Sequence, residues 1–369
     1  MRRSQHQLAD GRAIVYFDDR EPFVSGTQQR AVRDDRDLGG REEAGQMRLD
    51  PLTGEWVAMA AHRMNRPNQP PTSQCPLCPT RPGGVPSEVP STDYDVVVFE
   101  NRFPSFSASA APTPQLVDGE PLWPLRPAEG RTEVICFSSE HDTSFSHLPP
   151  ERVLTVVEAW ADRTAALSAT AGVEQVFCFE NRGPEIGVTL HHPHGQIYAY
   201  PYVTPRTGSM LRQAVEHRRA TGGSLLRDVL DAERRAGTRV VLSGEHWTAY
   251  VPAAARWPVE LHLAPHRDVP DLAALDQDER QELAQVYLEL MRRLDRYYEE
   301  VDRLPYIAGW HQAPVGADRE LGRLHLQAFS VLRAPGKLKY LAGSESGMGA
   351  WVNDTTPERI ADRLREVAS

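Results

Sequence analysis

Two short stretches of this chain hold side chains that could do chemistry. The first is His191-His192-Pro193-His194-Gly195-Gln196, which gathers three of the chain's thirteen histidines within four positions. Such a density suits either a metal cluster or group transfer through an imidazole. The second is Cys75-Pro76-Leu77-Cys78, in a proline-rich segment. Two thiolates at this spacing can clamp one tetrahedral ion, and a zinc site of that kind needs two more ligands. No second C-x2-C occurs, and Cys136 and Cys178 lie in apolar runs that read as buried core. The missing ligands are then expected among the histidines. His141, which follows a strand-like run, and His192 are candidates, although spacing alone does not select them.

The histidine stretch reads as a phosphorus-directed site. If residues 190–200 are extended, His192, His194 and Gln196 share one face, with Pro193, Gly195 and Ile197 on the other. Pro193 implies an edge or a bulge, and Gly195 is expected to let the backbone approach a ligand. A neutral imidazole attacks phosphorus well when one ring N–H is fixed by an acceptor and the other nitrogen is free. Gln196 offers an amide N–H to a phosphoryl oxygen but cannot deliver a proton. That suits transfer between phosphates, whose leaving groups are stable anions, better than hydrolysis with an amine or alkoxide leaving group. Upstream, Asn181, Gly187 and Thr189 supply an amide, backbone N–H groups beside a glycine, and a hydroxyl, the components of a phosphate cradle. His191 falls on the opposite face and is read as structural.

The elements that must position these residues are visible as patterns. Strand-like runs occur at 13–17, 95–101, 133–138, 175–181, 239–244, 259–265 and 323–329, rich in Val, Phe and Ile. One helix is predicted over about 150–167, with Leu154, Val157, Ala161 and Ala165 on one side. A second is predicted over about 277–298, with Leu283, Val286, Leu290 and Leu294 on one side. Asp276 and Glu279 have capping-box spacing. Each helix sits in the same order of strand, histidine-bearing turn (His141, His266), helix, strand and a histidine-centred segment. The reading is a duplicated unit in which only the first copy keeps the full histidine set. We expect an N-terminal arm at 1–45, a chemical module at 46–205 and a scaffold module at 206–369.

Composition sets the limits. The chain has 369 residues, 40% of them hydrophobic, with a formal charge of −10. A negative surface disfavours nucleic acid as a partner. No apolar run reaches spanning length, so no membrane partner is expected, and the chain reads as soluble and cytoplasmic.

Taken together, these motifs resemble the galactose-1-phosphate uridylyltransferase family of the histidine-triad superfamily. The likeness runs from about residue 10 to the end. It covers DPLTGEWVAMAAHRMNRP (50–67), CPLC (75–78), VVVFENRFP (96–104), VICFSSEH (134–141), FENRG…HHPHGQ (179–196) and PYIAGWHQAP (305–314). The resemblance implies an α+β fold of two fused histidine-triad-like modules, mainly antiparallel sheets with packed helices. It implies a ping-pong exchange between UDP-glucose and galactose 1-phosphate, with His194 as nucleophile and Gln196 on the phosphate. It assigns zinc to Cys75, Cys78, His141 and His192. It places Arg63 and Arg66 near the sugar phosphate and Phe99, Asn101, Arg102 and Phe103 at the uridine. Asn181, Gly187, Val188 and Thr189 match the phosphate loop. Lys339, Tyr340 and Glu345 match a tail that contacts the hexose in the partner's site of a homodimer. Some members hold a second metal on one Glu and three His. Here His311 and His325 match two of these, Gln327 replaces the third and no carboxylate stands near Met210, so no second metal, or a weak one, is expected. The alternatives are a phosphorylase of the same superfamily, accepting inorganic phosphate, and a zinc-stabilised nucleotide-sugar sensor without turnover.

Overall fold

The structure is a computed structural model that describes residues 1–39, 45–65, 68–108 and 113–368. Its backbone is one eleven-stranded sheet in which every strand pairing is antiparallel. The first half supplies β1 (Arg2–Gln7), β2 (Ala13–Asp18), β5 (Val96–Glu100), β7 (Arg131–Cys136), β8 (Gln175–Arg182) and β9 (His194–Tyr200). The second half supplies β10 (Val240–Ser243), β11 (Trp247–Tyr250), β12 (Val259–Pro265), β13 (Tyr306–His311) and β14 (His325–Ser330). The order across the sheet is β1-β2-β5-β7-β9-β8-β13-β14-β12-β11-β10. A small sheet of β3 (Gln46–Asp50), β4 (Glu55–Met59) and β6 (Leu125–Pro127), and a hairpin of β15 (Leu332–Ala334) and β16 (Lys337–Leu338), lie outside it.

The sheet order reveals the duplication. β5-β7-β9-β8 from one half is mirrored by β11-β12-β14-β13 from the other, and the two runs meet where β8 pairs with β13. Helix α1 (Pro150–Ser168) bridges β7 to β8, and α4 (Gln277–Asp295) bridges β12 to β13. The two helices pack on the same sheet face. Phe145 and Trp160 meet Tyr287 edge-on with ring centroids 4.8 and 5.6 Å apart, and Arg280 pairs with Glu158 at 2.7 Å. Asp276 and Glu279 form the expected reciprocal capping box at the start of α4.

The buried strands show why their sequences are continuous apolar runs. In β5, Val96 and Val98 face the helices, whereas Val97 and Phe99 face a second cluster that contains Cys75, Leu77, Tyr94, Val134 and Cys136. A strand covered on both faces has no polar side. Cys136 and Cys178 are fully buried.

Residues 1–45 are not simply an arm, because β1 and β2 form one edge of the large sheet and β2 pairs with β5. The buried face of α1 is formed by Val153, Val156, Val157, Trp160, Ala161 and Leu167; Leu154 is half-buried and Ala165 is exposed. The second long helix ends at Asp295, not 298. Two further helices, α2 (Pro205–Thr221) and α3 (Leu225–Ala236), were not anticipated. They bury little, and their local signal is at the ends, where Gly222 and Gly237 take left-handed conformations as C-caps.

Helix α5 (Gly343–Met348) and α6 (Pro357–Glu366) close the chain. No helix among the described residues is long and apolar enough to cross a membrane.

One buried carboxyl makes the fold pH-dependent. Glu180 accepts a hydrogen bond from the Tyr306 hydroxyl at 2.8 Å, and burial pushes its pKa up to about 7, partly opposed by Arg182. A carboxyl raised on folding contributes stability that is fully present below about pH 4.5 and lost as the pH rises through about 7. The melting temperature of Glu180→Gln should therefore gain on that of wild type between pH 5 and pH 8. A difference that stays constant over that range contradicts the assignment.

Candidate active site

The site is built on the face of β7 and β9 away from α1 and α4. β9 begins at His194, one bend after His192, so the strand does not extend back through His192 as the sequence pattern suggested. The two histidines have separate environments. His192 is fully buried and His194 half-buried.

His192 turns its Nδ1 toward the cysteine loop, 3.5 Å from Cys78 Sγ. Its Nε2 lies 2.8 Å from the Ser138 carbonyl and 2.8 Å from the Tyr94 hydroxyl. A proton on Nε2 satisfies both contacts and leaves the Nδ1 lone pair free. The Tyr94 hydroxyl in turn donates to the Leu77 carbonyl at 2.8 Å, inside the C-x2-C turn. His141 brings Nδ1 to 3.3 Å from the same sulfur. One donor atom from each of Cys75, Cys78, His141 and His192 lies within 4.8 Å of the others. These residues fit a metal ion. Two thiols and two imidazoles match a closed tetrahedral set, and Nε2 of His192 is fixed by outer partners, as in metal-bound histidines. Burial, with His194 and His141 nearby, holds His192 down to about 3, so its ring is neutral. Burial and the Cys75 thiol push Cys78 up to about 12, a penalty that a dication among the sulfurs reverses.

His194 is oriented by the chain itself. Its Nδ1 donates to the backbone carbonyl of His192 at 2.7 Å. That fixes the tautomer and leaves Nε2 unprotonated and free. Burial lowers the pKa of His194 below the ordinary value, outweighing the opposite effect of its bond to the His192 carbonyl, and favours the neutral ring. Gln196, two residues on, lines the same cavity as His194, and its side chain makes no hydrogen bond among the described residues. The same device recurs in the second half. His325 opens β14, its Nδ1 contacts the Arg323 carbonyl at 3.1 Å, and Gln327 follows two residues later. That copy is blocked, because Gln327 donates to Glu260 at 2.6 Å and the ring of His311 stacks on His325 at 4.8 Å.

Gly195 has a different role from the one its sequence suggested. A Cβ there would lie 2.8 Å from the Phe179 carbonyl and 2.9 Å from the Phe137 ring. The missing side chain makes room for β8 and the core, on the face opposite the cavity.

Two cavities flank His194. One, of about 210 Å³, is lined by His194 and Gln196 together with Arg63, Phe99, Asn101, Arg102, Phe103 and Thr189. Asn101 Oδ1 accepts from Phe103 N at 2.9 Å, which orients the amide and leaves its N–H groups available to a ligand. Arg63 is held over the cavity by Ser105 Oγ at 2.7 Å and the Phe103 carbonyl at 3.2 Å. The second cavity, of about 420 Å³, is lined by His194, Asn181 and Val188.

The other expected residues are placed elsewhere. Gly187 lines neither cavity and caps a short turn in a left-handed conformation. The backbone N–H groups of Gly187 and Val188 donate to Pro184 and Gly183, so they do not form the open cradle the sequence suggested. Lys339 pairs with Glu345 at 3.3 Å and neither residue lines these cavities, while Tyr340 is 77% exposed. Arg66 lies outside the described residues. His191 is exposed, among the residues lining the second cavity. Tyr94, Ser138 and Glu88, the acidic residue of the smaller cavity, were missed by sequence reasoning.

An antiparallel α+β sheet of two pseudo-repeats, carrying a backbone-fixed histidine with a glutamine two residues on, defines a duplicated α+β protein with one histidine-centred site. The comparisons narrow this. Family models described as the N-terminal and C-terminal domains of galactose-1-phosphate uridyl transferase match residues 40–204 and 210–369. The chain belongs to that family. It is 46% identical to the galactose-1-phosphate uridylyltransferase of Streptomyces lividans, covering 100% of this chain and 98% of the relative. It is 36% identical to that of Thermotoga maritima, covering 87% and 98%. A solved uridylyltransferase structure superposes with a TM-score of 0.76 at 31% identity, covering 87% of this chain and 98% of that one. An ADP-glucose phosphorylase from Arabidopsis thaliana shares the fold, with a TM-score of 0.65 at 22% identity over 87% and 98% of the two chains.

Two substitutions test this geometry. Gly195→Ala should cost about 1–3 kcal/mol of stability through overpacking against Phe137 and β8, read from urea unfolding; an unchanged midpoint contradicts the packing account. Tyr94→Phe should weaken metal retention about 10- to 100-fold, read by competition with a chromophoric chelator. Retention equal to wild type contradicts its supporting role.

Proposed function

We propose that this chain transfers a uridylyl group from UDP-glucose to galactose 1-phosphate, through a covalent uridylyl-His194. The observation that carries the proposal is the 2.7 Å bond from His194 Nδ1 to the His192 carbonyl, which leaves Nε2 as a fixed nucleophile beside a cavity of about 210 Å³. Nε2 attacks the α-phosphorus of UDP-glucose. The N–P bond forms as the bond to the β-phosphate oxygen breaks, and glucose 1-phosphate departs with that electron pair. The leaving group is a phosphate anion, so no proton has to be delivered. The Gln196 amide donates to a non-bridging oxygen as charge builds there. The bond to the His192 carbonyl stabilises the ring as it becomes cationic. Galactose 1-phosphate then attacks the same phosphorus, UDP-galactose forms and His194 returns to its neutral state.

In this reading Phe99, Asn101, Arg102 and Phe103 hold the uridine, and Arg63 and Arg66 the sugar phosphate. Asn181 and Thr189 hold the phosphates, with Gly187 and Val188 shaping their loop. Zinc is the ion of the Cys75, Cys78, His141 and His192 set, where it pins the cysteine loop to the start of β9. The module at 46–205 performs the chemistry and the module at 206–369 supports it. The exposed Tyr340, with Lys339 and Glu345, serves the hexose site of a partner copy in a homodimer. The enzyme works in the cytoplasm, on small molecules, without nucleic acid or membrane.

Incubation with UDP-glucose labelled at the α-phosphate should leave acid-labile, base-stable label on the wild-type protein, and galactose 1-phosphate should discharge it as UDP-galactose. His194→Ala should take no label, and Gln196→Ala should lose about 10²–10³-fold in kcat. Label on His194→Ala, or discharge by inorganic phosphate in place of galactose 1-phosphate, contradicts the proposal.

A further inference from the structure

The smaller cavity beside His194 has one acidic residue in its wall, Glu88. Neither the histidine chemistry nor the metal set uses it. It enters the cavity from the loop after the C-x2-C turn, and its backbone is tied down there. Glu88 N donates to the Pro76 carbonyl at 2.8 Å, and Thr80 N donates to the Val89 carbonyl at 3.0 Å.

Two arginines hold its carboxylate, one from the turn between β1 and β2 and one from the irregular segment after β2. Arg12 donates to Oε2 at 2.6 Å and Arg36 to Oε1 at 2.9 Å. Each arginine has a second anchor, Arg12 on Asp10 at 2.6 Å and Arg36 on Asp34 at 2.7 Å. Arg12 also donates to the Glu100 carbonyl at 2.8 Å, at the end of β5, one residue before Asn101. Arg36, itself held by Asp34, completes the clamp on Glu88.

A carboxylate has about four acceptor directions. The two arginines take two, and Arg102 stands off at 3.8 Å. The remaining directions belong to a residue that faces the cavity and can only accept. In the transfer reading, a nucleotide in this cavity puts its base by Phe99 and Phe103 and its α-phosphorus at His194 Nε2. The ribose lies between, and it presents two adjacent hydroxyl donors. A fixed carboxylate is the group that pairs with such a diol, as the acidic residue of dinucleotide folds does. The arginines also offset the repulsion between this carboxylate and an anionic nucleotide.

We infer that Glu88 reads the ribose hydroxyls of the nucleotide, with Arg12 and Arg36 as its positioning residues. The inference rests on the nucleotidyl-transfer reading above. It is tested by comparing UDP-glucose with its 2′-deoxy and 3′-deoxy forms as donors, in the wild type and in Glu88→Gln. The wild type should favour UDP-glucose over at least one deoxy form by about 10- to 100-fold in kcat/KM, mainly through KM. In Glu88→Gln that ratio should fall below about 3-fold, with His194 still labelled. A ratio in Glu88→Gln equal to that of wild type overturns the inference. If the variant does not fold, the wild-type donor comparison decides: no preference against either deoxy form overturns it, and a preference of the expected size supports it. Wild type that takes no label from UDP-glucose overturns the transfer reading itself, which separates the two failures.

Discussion

The site depends on one hydrogen bond, from His194 Nδ1 to the carbonyl of His192. It requires that the chain bend at His192 and enter the sheet at His194. The bend is fixed from outside the strand. The His192 ring is buried, held by Ser138 and Tyr94 at Nε2 and turned toward Cys78 at Nδ1. A residue of the metal set therefore presents, through its backbone, the acceptor that sets the tautomer of the neighbouring nucleophile. In the proposed reading, metal binding and nucleophilic chemistry meet within three residues without sharing an atom of either ring.

The sheet makes this arrangement rigid. β9 lies in the interior of eleven strands, between β7 and β8, so His194 and Gln196 are held by ladders on both sides. The helix face below them is closed by α1 and α4, and Gly195 lets β8 and Phe137 come close beneath the strand. The second half repeats the frame and even the His-x-Gln step, yet there Glu260 occupies the glutamine and His311 covers the histidine. The duplicated half keeps the geometry, with its glutamine and histidine already engaged by other side chains.

Much of this was legible in the sequence, because the signals were local. VELHLAP marked β12 at Val259–Pro265, and Asp276 with Glu279 marked the start of α4. The period-two pattern placed His194 and Gln196 on one face, and the order of motifs carried the family. What was not legible depends on partners far apart in the chain. Tyr94 meets His192 across 98 positions and Arg12 meets Glu88 across 76, with no periodicity to announce either contact. Gly195 was misread for a related reason. A glycine shows that something comes close, and only the packed sheet shows from which side. The first residues read as an arm because β1 is polar, with alternating half-buried and exposed positions at the sheet's edge.

The most direct test of this account is the protonation pattern of the His194 ring, read by long-range ¹H–¹⁵N correlation spectra of the ¹⁵N-histidine-labelled, metal-loaded protein, with His194→Ala to assign the signal. The account predicts a proton on Nδ1 and a bare Nε2 in the resting enzyme. A proton on Nε2 with a bare Nδ1 contradicts it, since the His192 carbonyl would then have no donor and the attacking nitrogen no lone pair.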